Sequence, residues 1–254
     1  MPLNRRKQKQ INMHKQLAEK YALRYAPHFA RVFQEYWNRV LLEALPPDAV
    51  RVYDCGCGTG ILLRELRKYK NAVGSDLSFE MLLQAPRGIV CVGDAESIPI
   101  CASAFNAVIV RGVLHHLSDV SAALREIDRI LTPGGMLIVS EPCNDAWIVR
   151  AARKFMYRRS EHFSDEDVAF RTEELSDLIT RAGFQVVKTR RFGYLAYTLA
   201  GFPDVLPLLH YVPFASALTK LMIQFDRLVA YIPGFRRWGL HLIIVARSRT
   251  KSNV

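Results

Sequence analysis

The sequence predicts an α/β fold, a parallel sheet doubly wound by helices on both faces. Three observations predict it. Short apolar runs alternate with amphipathic ones across residues 50–140. The first apolar run ends in a glycine-rich loop, Cys55-Gly56-Cys57-Gly58-Thr59-Gly60, that opens a helical pattern. The later runs end in charged or polar residues, and the carboxyl ends of the strands are where an open α/β sheet holds its ligand.

The elements follow in order. Residues 11–45 contain no Gly and one proline, Pro27, so two helices meeting near 26–28 are expected, closed by Pro46-Pro47. Tyr21 and Tyr25 stand four apart, on one helical face. Residues 50–54 read as a buried strand, and residues 61–69 as a helix with Leu62, Leu63 and Leu66 inward. A strand at 72–74 leads into Ser75-Asp76, and Ser78 caps a helix through 83. Strands at 88–92 and 107–110 end in Gly93-Asp94 and Arg111-Gly112. Residues 120–131 are amphipathic along Leu124, Ile127 and Leu131. Pro133-Gly134-Gly135 then turns into a strand at 136–140 that ends in Glu141-Pro142. Beyond it lie a basic helix at 147–159, a helix at 172–182, strands at 184–188 and 240–246, and an apolar insertion between those strands. The organisation expected is an N-terminal helical cap (1–45), an α/β core (46–192), a helical insertion or lid (193–238), and a last core strand with tail (239–254).

Composition bounds the function. Half of the 254 residues are hydrophobic and 23% are charged, which excludes a disordered or fibrous chain. The apolar stretches at 192–203 and 205–219 are split by Asp204 and broken by Pro203, Pro207 and Pro213, so no conventional membrane-spanning helix is expected. The polar, basic start lacks the apolar core of a secretory signal. Five cysteines, with no second pair to complete a ligand set beside Cys55 and Cys57, point to a reducing cytoplasmic setting and to no metal. The net charge of +11 is uneven: +6 over residues 1–45, −3 over 46–145 and +8 over 146–254. Such asymmetry reports on a partner surface and not on the fold.

The strand ends carry the chemistry. Gly56, Gly58 and Gly60 let the backbone approach a ligand closely, and the helix start behind them offers free N–H groups. The loop lacks the Gly-Lys-Ser/Thr ending of a phosphate cradle, and its glycine spacing departs from the dinucleotide fingerprint. Asp76, sixteen residues past Gly60, stands where a carboxylate accepts ribose hydroxyls. Asp94 stands where one accepts from an adenine amine. Together they describe an adenosine ligand without a pyrophosphate. Each residue also has a purely structural reading. Asp54 could brace the loop, His115 and His116 could start the next helix, Arg111 could sit in a buried ion pair, and Tyr21 and Tyr25 could be core aromatics.

The run Val52-Tyr53-Asp54-Cys55-Gly56-Cys57-Gly58-Thr59-Gly60 resembles the cofactor loop of class I S-adenosylmethionine-dependent methyltransferases. Gly93-Asp94-Ala95-Glu96-Ser97-Ile98-Pro99 resembles their adenine-side motif. Val113-Leu114-His115-His116-Leu117 and Leu131-Thr132-Pro133-Gly134-Gly135-Met136-Leu137 are similar to the ubiquinone/menaquinone-methyltransferase-like (type 11) branch. The resemblance covers residues 50–190 and the last strand. It implies a Rossmann-like seven-stranded sheet whose last strand is antiparallel. It also implies that Asp54 and the loop residues Gly56, Cys57, Gly58 and Gly60 hold the methionine end of S-adenosyl-L-methionine. Asp76 and Leu77 would then meet the ribose, Asp94 and Ala95 the adenine, and Arg111 would complete the cofactor-binding set. Tyr53-Asp54-Cys55 departs from the small aliphatics usual there.

With an activated methyl the protein supplies mainly alignment, and a general base is needed only if the acceptor must lose a proton. His116 and His115 are the candidates, because imidazole titrates near neutrality. Tyr21, Tyr25 and Glu141 are expected on the substrate or lid side. The insertion holds four basic and two acidic residues among Leu, Phe, Tyr and Pro. It reads either as a helical lid that buries its own apolar face or as the pocket of a small lipophilic or aromatic acceptor, in which case Arg227, Arg236, Arg237 and the 147–159 helix could make peripheral contact with an anionic membrane. The alternatives are an RNA methyltransferase using the basic flanks, against which no Asn/Asp-Pro-Pro-aromatic motif follows the fourth strand, and a non-catalytic assembly protein on the same scaffold.

Overall fold

The computed structural model describes residues 5–249 apart from 69, 88, 148, 152, 153 and 155–168; inside the first helix the side chains of 13, 14, 16, 17 and 19–22 also lie outside the described set. Much of the expected 147–159 helix, and the side chain of Tyr21, therefore lie outside the described residues.

Seven strands form one sheet: β1 (Arg51–Cys55), β2 (Asn71–Asp76), β3 (Val90–Val92), β4 (Phe105–Arg111), β5 (Leu131–Pro142), β6 (Phe184–Phe192) and β7 (His241–Ser248). Their order is β3-β2-β1-β4-β5-β7-β6. The pairs from β3 through to β5 are parallel, and β7 runs antiparallel to both β5 and β6. The sheet is the Rossmann-like one expected, last strand included. After β1 the chain winds outward to one side through β2 and β3, and then returns to place β4 on the other side of β1. That reversal leaves a crevice beyond the carboxyl ends of β1 and β4, the switch point at which such sheets bind ligands.

Strand alternation builds the two faces of the core. On β4, Ala107 and Ile109 join a cluster with Phe33, Trp37, Leu63 and Ile138. Val108 and Val110 join the opposite cluster, with Tyr53, Leu124, Ile127 and Leu137. Successive side chains of a strand point to opposite faces, so one short apolar strand serves both layers. Helix α5 (Val120–Ile130), capped by Asp119, whose side chain accepts from the Ala122 N–H at 2.9 Å, covers the second face with Ala123, Leu124, Ile127 and Ile130. Helix α6 (Thr172–Arg181) adds Leu175 and Ile179 to the same layer.

The other layer holds α3 (Ile61–Leu66) and α2 (His28–Leu42), with the short α4 (Phe79–Leu82) after β2. Helix α1 begins at Arg5 and runs to Arg24, earlier than the apolar pattern indicates. Residues Arg5 to Gln10 are Arg, Lys and Gln, good helix formers with no hydrophobic signal of their own. β5 likewise starts at Leu131, before the Pro-Gly-Gly turn. The register jumps from Phe105↔Leu131 to Ala107↔Met136, so residues 132–135 bulge out of an otherwise continuous strand.

The segment between β6 and β7 holds α7 (Leu195–Ala200), a 3-10 turn at Pro207–Tyr211, α8 (Ala215–Val229) and a second 3-10 turn at Phe235–Trp238. Helix α8 packs on α2 and α7 through Thr219, Met222, Ile223 and Asp226. The Asp226 carboxylate accepts the N–H groups of Tyr194, Leu195 and Ala196 at 2.9–3.1 Å, which ties the start of α7 to the middle of α8.

Candidate active site

A cavity of about 240 Å³ lies beyond the carboxyl ends of β1, β2 and β4. The loop after β1 forms its floor, α1 crosses above it, and Trp37, Tyr197 and Phe202 supply aromatic wall from α2 and the insertion.

The floor is built by backbone geometry. Gly56, Gly58 and Gly60 all have positive φ, at 72°, 52° and 74°. At Gly56 a Cβ would also fall 2.3 Å from Val113 Cγ2, so any side chain there collides with the loop that follows β4. Gly60 is the left-handed N-cap of α3 and sets the turn, whereas Gly56, Cys57 and Gly58 form cavity wall. Cys57 and Cys55 are buried, and burial pushes both thiols well above the ordinary range, so neither is a nucleophile.

Three carboxylates stand at successive strand ends. Asp76 accepts from the Gly58 N–H through Oδ2 and from the Ser78 N–H through Oδ1, both at 2.9 Å, so it orders the glycine loop while facing the cavity beside Leu77. Asp94 accepts from the Glu96 N–H through Oδ1, with Ala95 in the wall beside it. Asp54 differs from both. It is 2% exposed, and its Oδ2 has no hydrogen-bond partner. Burial raises its pKa to about 7; the nearby Arg111 pulls it down and Asp76 pushes it up. A buried, unpaired carboxylate oxygen in a cavity wall calls for a donor, a cation above all.

Arg111 is fixed by three residues of α2. Its Nη1 donates to Asn38 Oδ1 at 2.7 Å, its Nη2 to Gln34 Oε1, and its guanidinium lies 4.0 Å from the Trp37 ring centroid. Gln34, Trp37 and Asn38 fall at i, i+3 and i+4, one helical face turned to the site. They were not anticipated. The signal was there in two buried amides set among Phe33, Trp37, Val40 and Leu41 on an apolar stripe.

His115 and His116 both line the cavity, their ring centroids 3.9 Å apart. His115 Nδ1 stands 2.7 Å from Glu141 Oε2, and Glu141 Oε1 accepts the Val113 and Leu114 N–H groups at 2.8 Å each. Glu141 is fully buried behind His115 and is not part of the cavity wall. The substrate-side placement expected for it is replaced by a supporting one, because Glu141 ends a central strand and faces the 3-10 turn that carries His115. His116 Nδ1 lies 3.2 Å from Gln10 Nε2 of α1.

Helix α1 is pinned across the mouth. Lys7 Nζ pairs with Asp94 at 2.5 Å and Glu96 at 2.6 Å, and Arg6 donates to the His115 carbonyl at 3.0 Å. Burial lowers the Lys7 pKa, but hydrogen bonds and charge from Asp94 and Glu96 outweigh it and hold the ammonium above its ordinary range. At the other end Arg24 makes two 2.7 Å bonds to Asp204 of the insertion, and Tyr25 enters the wall. Lys7 and Gln10 were also missed, because a charged residue on a solvated-looking helix gives no sign of what it crosses.

Comparison with known proteins agrees with this geometry. Residues 53–139 match the methyltransferase domain family. A demethylmenaquinone methyltransferase of Mycobacterium marinum is 38% identical over 112 residues, 42% of this chain and 48% of that protein, so the chain spans about half the length of this curated relative. Among solved structures, a SAM-dependent methyltransferase of Thermotoga maritima superposes with a TM-score of 0.66 at 21% identity, covering 94% of this chain and 99% of that one. Phosphoethanolamine N-methyltransferase 2 of Haemonchus contortus, solved with S-adenosylhomocysteine, superposes with a TM-score of 0.58 at 17% identity, over 85% of this chain and 53% of that one.

Proposed function

We propose, from the premise that this chain carries a class I S-adenosylmethionine-dependent methyltransferase domain, that it transfers the methyl group of S-adenosyl-L-methionine to a small lipophilic or aromatic acceptor. The observation that carries the reading is the unpaired, buried Oδ2 of Asp54 beside the glycine loop. The α-ammonium of the cofactor's methionine end is the donor that oxygen lacks, so the residues fit the group. Asp76 and Leu77 then take the ribose, Asp94 and Ala95 the adenine side, and Arg111 holds Asp54 towards its ionised form. Bound there, the cofactor would supply an electrophilic methyl on a sulfonium, open to in-line attack by an acceptor atom with S-adenosylhomocysteine as the leaving group.

The chain's own residues bind, orient and exclude water. Trp37, Tyr197 and Phe202, with Tyr25 from the turn after α1, give the acceptor side an aromatic wall. Where the acceptor must lose a proton, we assign the base to His115. Its Nδ1–H donates to Glu141, which leaves the Nε2 lone pair free to take the proton. The Gln10 amide instead donates to His116 Nδ1, so His116 has its hydrogen on Nε2 and acts in positioning. Cofactor carrying a labelled methyl, incubated with lipid extract, total RNA and protein extract, tests the reading. Label in an organic-soluble product is expected. Label in RNA alone makes the chain a nucleic-acid methyltransferase, and bound cofactor with no label anywhere makes it a scaffold. The lipophilic acceptor also favours an enzyme that meets an anionic membrane at its periphery. Among the described residues no helix is long and apolar enough to cross one.

A further inference from the structure

We infer that the outer face of α8, with the turn that follows it, is a docking surface for an anionic lipid membrane. This deepens the membrane contact proposed above. Leu218, Leu221, Phe225 and Leu228 lie at i, i+3, i+7 and i+10, one side of α8, and all four are exposed, Leu221 and Leu228 by 66% and 69%. The buried side of the same helix is a different one, made of Thr219, Met222, Ile223 and Asp226. α8 therefore has two apolar faces, and only one meets the protein. A single exposed leucine is ordinary; a stripe along about three turns is not.

The stripe continues along the chain in aromatic residues. Tyr231 is 83% exposed, and Phe235 and Trp238, rings 4.8 Å apart, are half-exposed. At the opposite end of α8, Phe214 is 85% exposed and holds a left-handed backbone, φ 60°, as the N-cap. A phenylalanine in that conformation is strained, and the strain is retained at a position where its ring reaches only solvent. Amphipathic aromatic residues are the ones that settle at the level of lipid headgroups.

Charge identifies the occupant. Lys220 and Arg227 are exposed on the polar sector of α8, next to the apolar stripe, and Arg236 and Arg237 are exposed in the turn beyond it. The two carboxylates of residues 193–238 are both engaged within the protein: Asp226 of α8 is 3% exposed and holds the start of α7, and the exposed Asp204 has both oxygens bound to Arg24. The insertion surface is thus apolar and cationic, and its one exposed carboxylate, Asp204, is neutralised by Arg24. That is the chemistry of a helix lying in a membrane interface, with the long Lys and Arg stems reaching back to the headgroups. A second copy of this chain would have to meet these cations with the carboxylates of the same insertion, where Asp226 is buried and Asp204 is bound to Arg24. The insertion also supplies Tyr197 and Phe202 to the cavity wall, so a membrane on its outer side stands next to the acceptor side of the site.

The test is sedimentation of the purified full chain with phosphatidylcholine vesicles, with and without phosphatidylglycerol, at low and high salt. Binding to the anionic vesicles at low salt, weakened at high salt, is expected. Leu221→Glu with Phe225→Glu should abolish it, and Arg236→Gln and Arg237→Gln should each weaken it roughly fivefold. All four positions are exposed and outside the cavity wall, so thermal unfolding and affinity for S-adenosylhomocysteine should stay those of the native chain. No binding at low salt overturns the inference, as does binding indifferent to Leu221→Glu and Phe225→Glu. Self-association that these two changes abolish, without vesicle binding, assigns the face to a second copy and overturns it too. Vesicle binding needs no acceptor, so failure here is distinct from failure of the labelled-methyl assay.

Discussion

Oε2 of Glu141 stands 2.7 Å from Nδ1 of His115, and the other oxygen of the same carboxylate is held by the N–H groups of Val113 and Leu114. The arrangement is directional. Two backbone donors fix Oε1, so only Oε2 can meet the imidazole. In Glu141→Gln the amide oxygen must stay with the two N–H groups, which turns the NH₂ towards His115. The imidazole then has to accept at Nδ1 and carry its hydrogen on Nε2, where it cannot take a proton. Turnover should fall about 10²- to 10⁴-fold, the usual worth of a positioned base. Affinity for S-adenosylhomocysteine should change less than about twofold, because no lost contact approaches the roughly 1.4 kcal/mol of a tenfold effect. Steady-state kinetics beside calorimetry separate the two, and unaltered turnover removes His115 as base.

Arg111 should set the titration of Asp54. Its guanidinium is the charge that lowers the Asp54 pKa against burial. Arg111→Met should move the inflection in the pH dependence of cofactor binding above about 7. Arg111→Lys keeps the charge but cannot bridge Asn38 and Gln34 at once. The inflection should therefore stay near its native position, while stability falls by about 1–3 kcal/mol for the amide oxygens left unpaired. Urea unfolding and binding measured across pH distinguish the two substitutions.

Lys7 should hold α1 down. Its ammonium bridges Asp94 and Glu96 across the cavity mouth. Lys7→Ala should release the first turns of α1, seen as faster amide exchange over residues 5–11. Loss of about 1 kcal/mol in local opening corresponds to roughly fivefold faster exchange. Exchange unchanged in that segment would mean that Arg6 and Gln10 suffice to keep it in place.

Much of the fold was legible in the sequence because periodicity and punctuation agree. Apolar runs, Ser78, Pro27 and the glycine turns mark most of the boundaries that the backbone adopts. The elements misread are those without a hydrophobic signal: the first turns of α1, built of Arg, Lys and Gln, and the bulged start of β5, where Pro133 and Gly134 sit inside a strand. Residues on strand ends were legible for the same reason, since topology brings strand ends together. The partners that arrive from distant segments were not. Gln34 and Asn38 reach Arg111 across more than seventy positions, and Gln10 and Lys7 reach His116 and Asp94 across still more. Glu141 was seen as polar at a strand end, but no spacing distinguishes a carboxylate facing a cavity from one facing a histidine ring.

In the proposed site Asp54 joins the fold to the cofactor, and its buried, unpaired oxygen is costly while that site is empty. Its folded pKa lies above the ordinary carboxylate value, so the native state holds the proton more tightly than the unfolded chain. Unliganded stability should therefore fall as pH rises from the ordinary carboxylate range to about 7, and stay lowered above it. Asp54→Asn should relieve this above neutrality, by on the order of 1–3 kcal/mol.

Titration calorimetry with S-adenosylhomocysteine, from acid to alkaline pH, on the native chain and Asp54→Asn, tests the central claim most directly. The native affinity should rise as pH passes through about 7 and fall again where the ligand's own α-ammonium loses its proton. Below about 7 it should weaken by up to about tenfold per pH unit, because an ammonium pairs with the ionised carboxylate. Asp54→Asn should bind weakly and without that pH dependence. Native protein that binds no S-adenosylhomocysteine at any pH, or a variant that binds as the native chain does, would contradict the account.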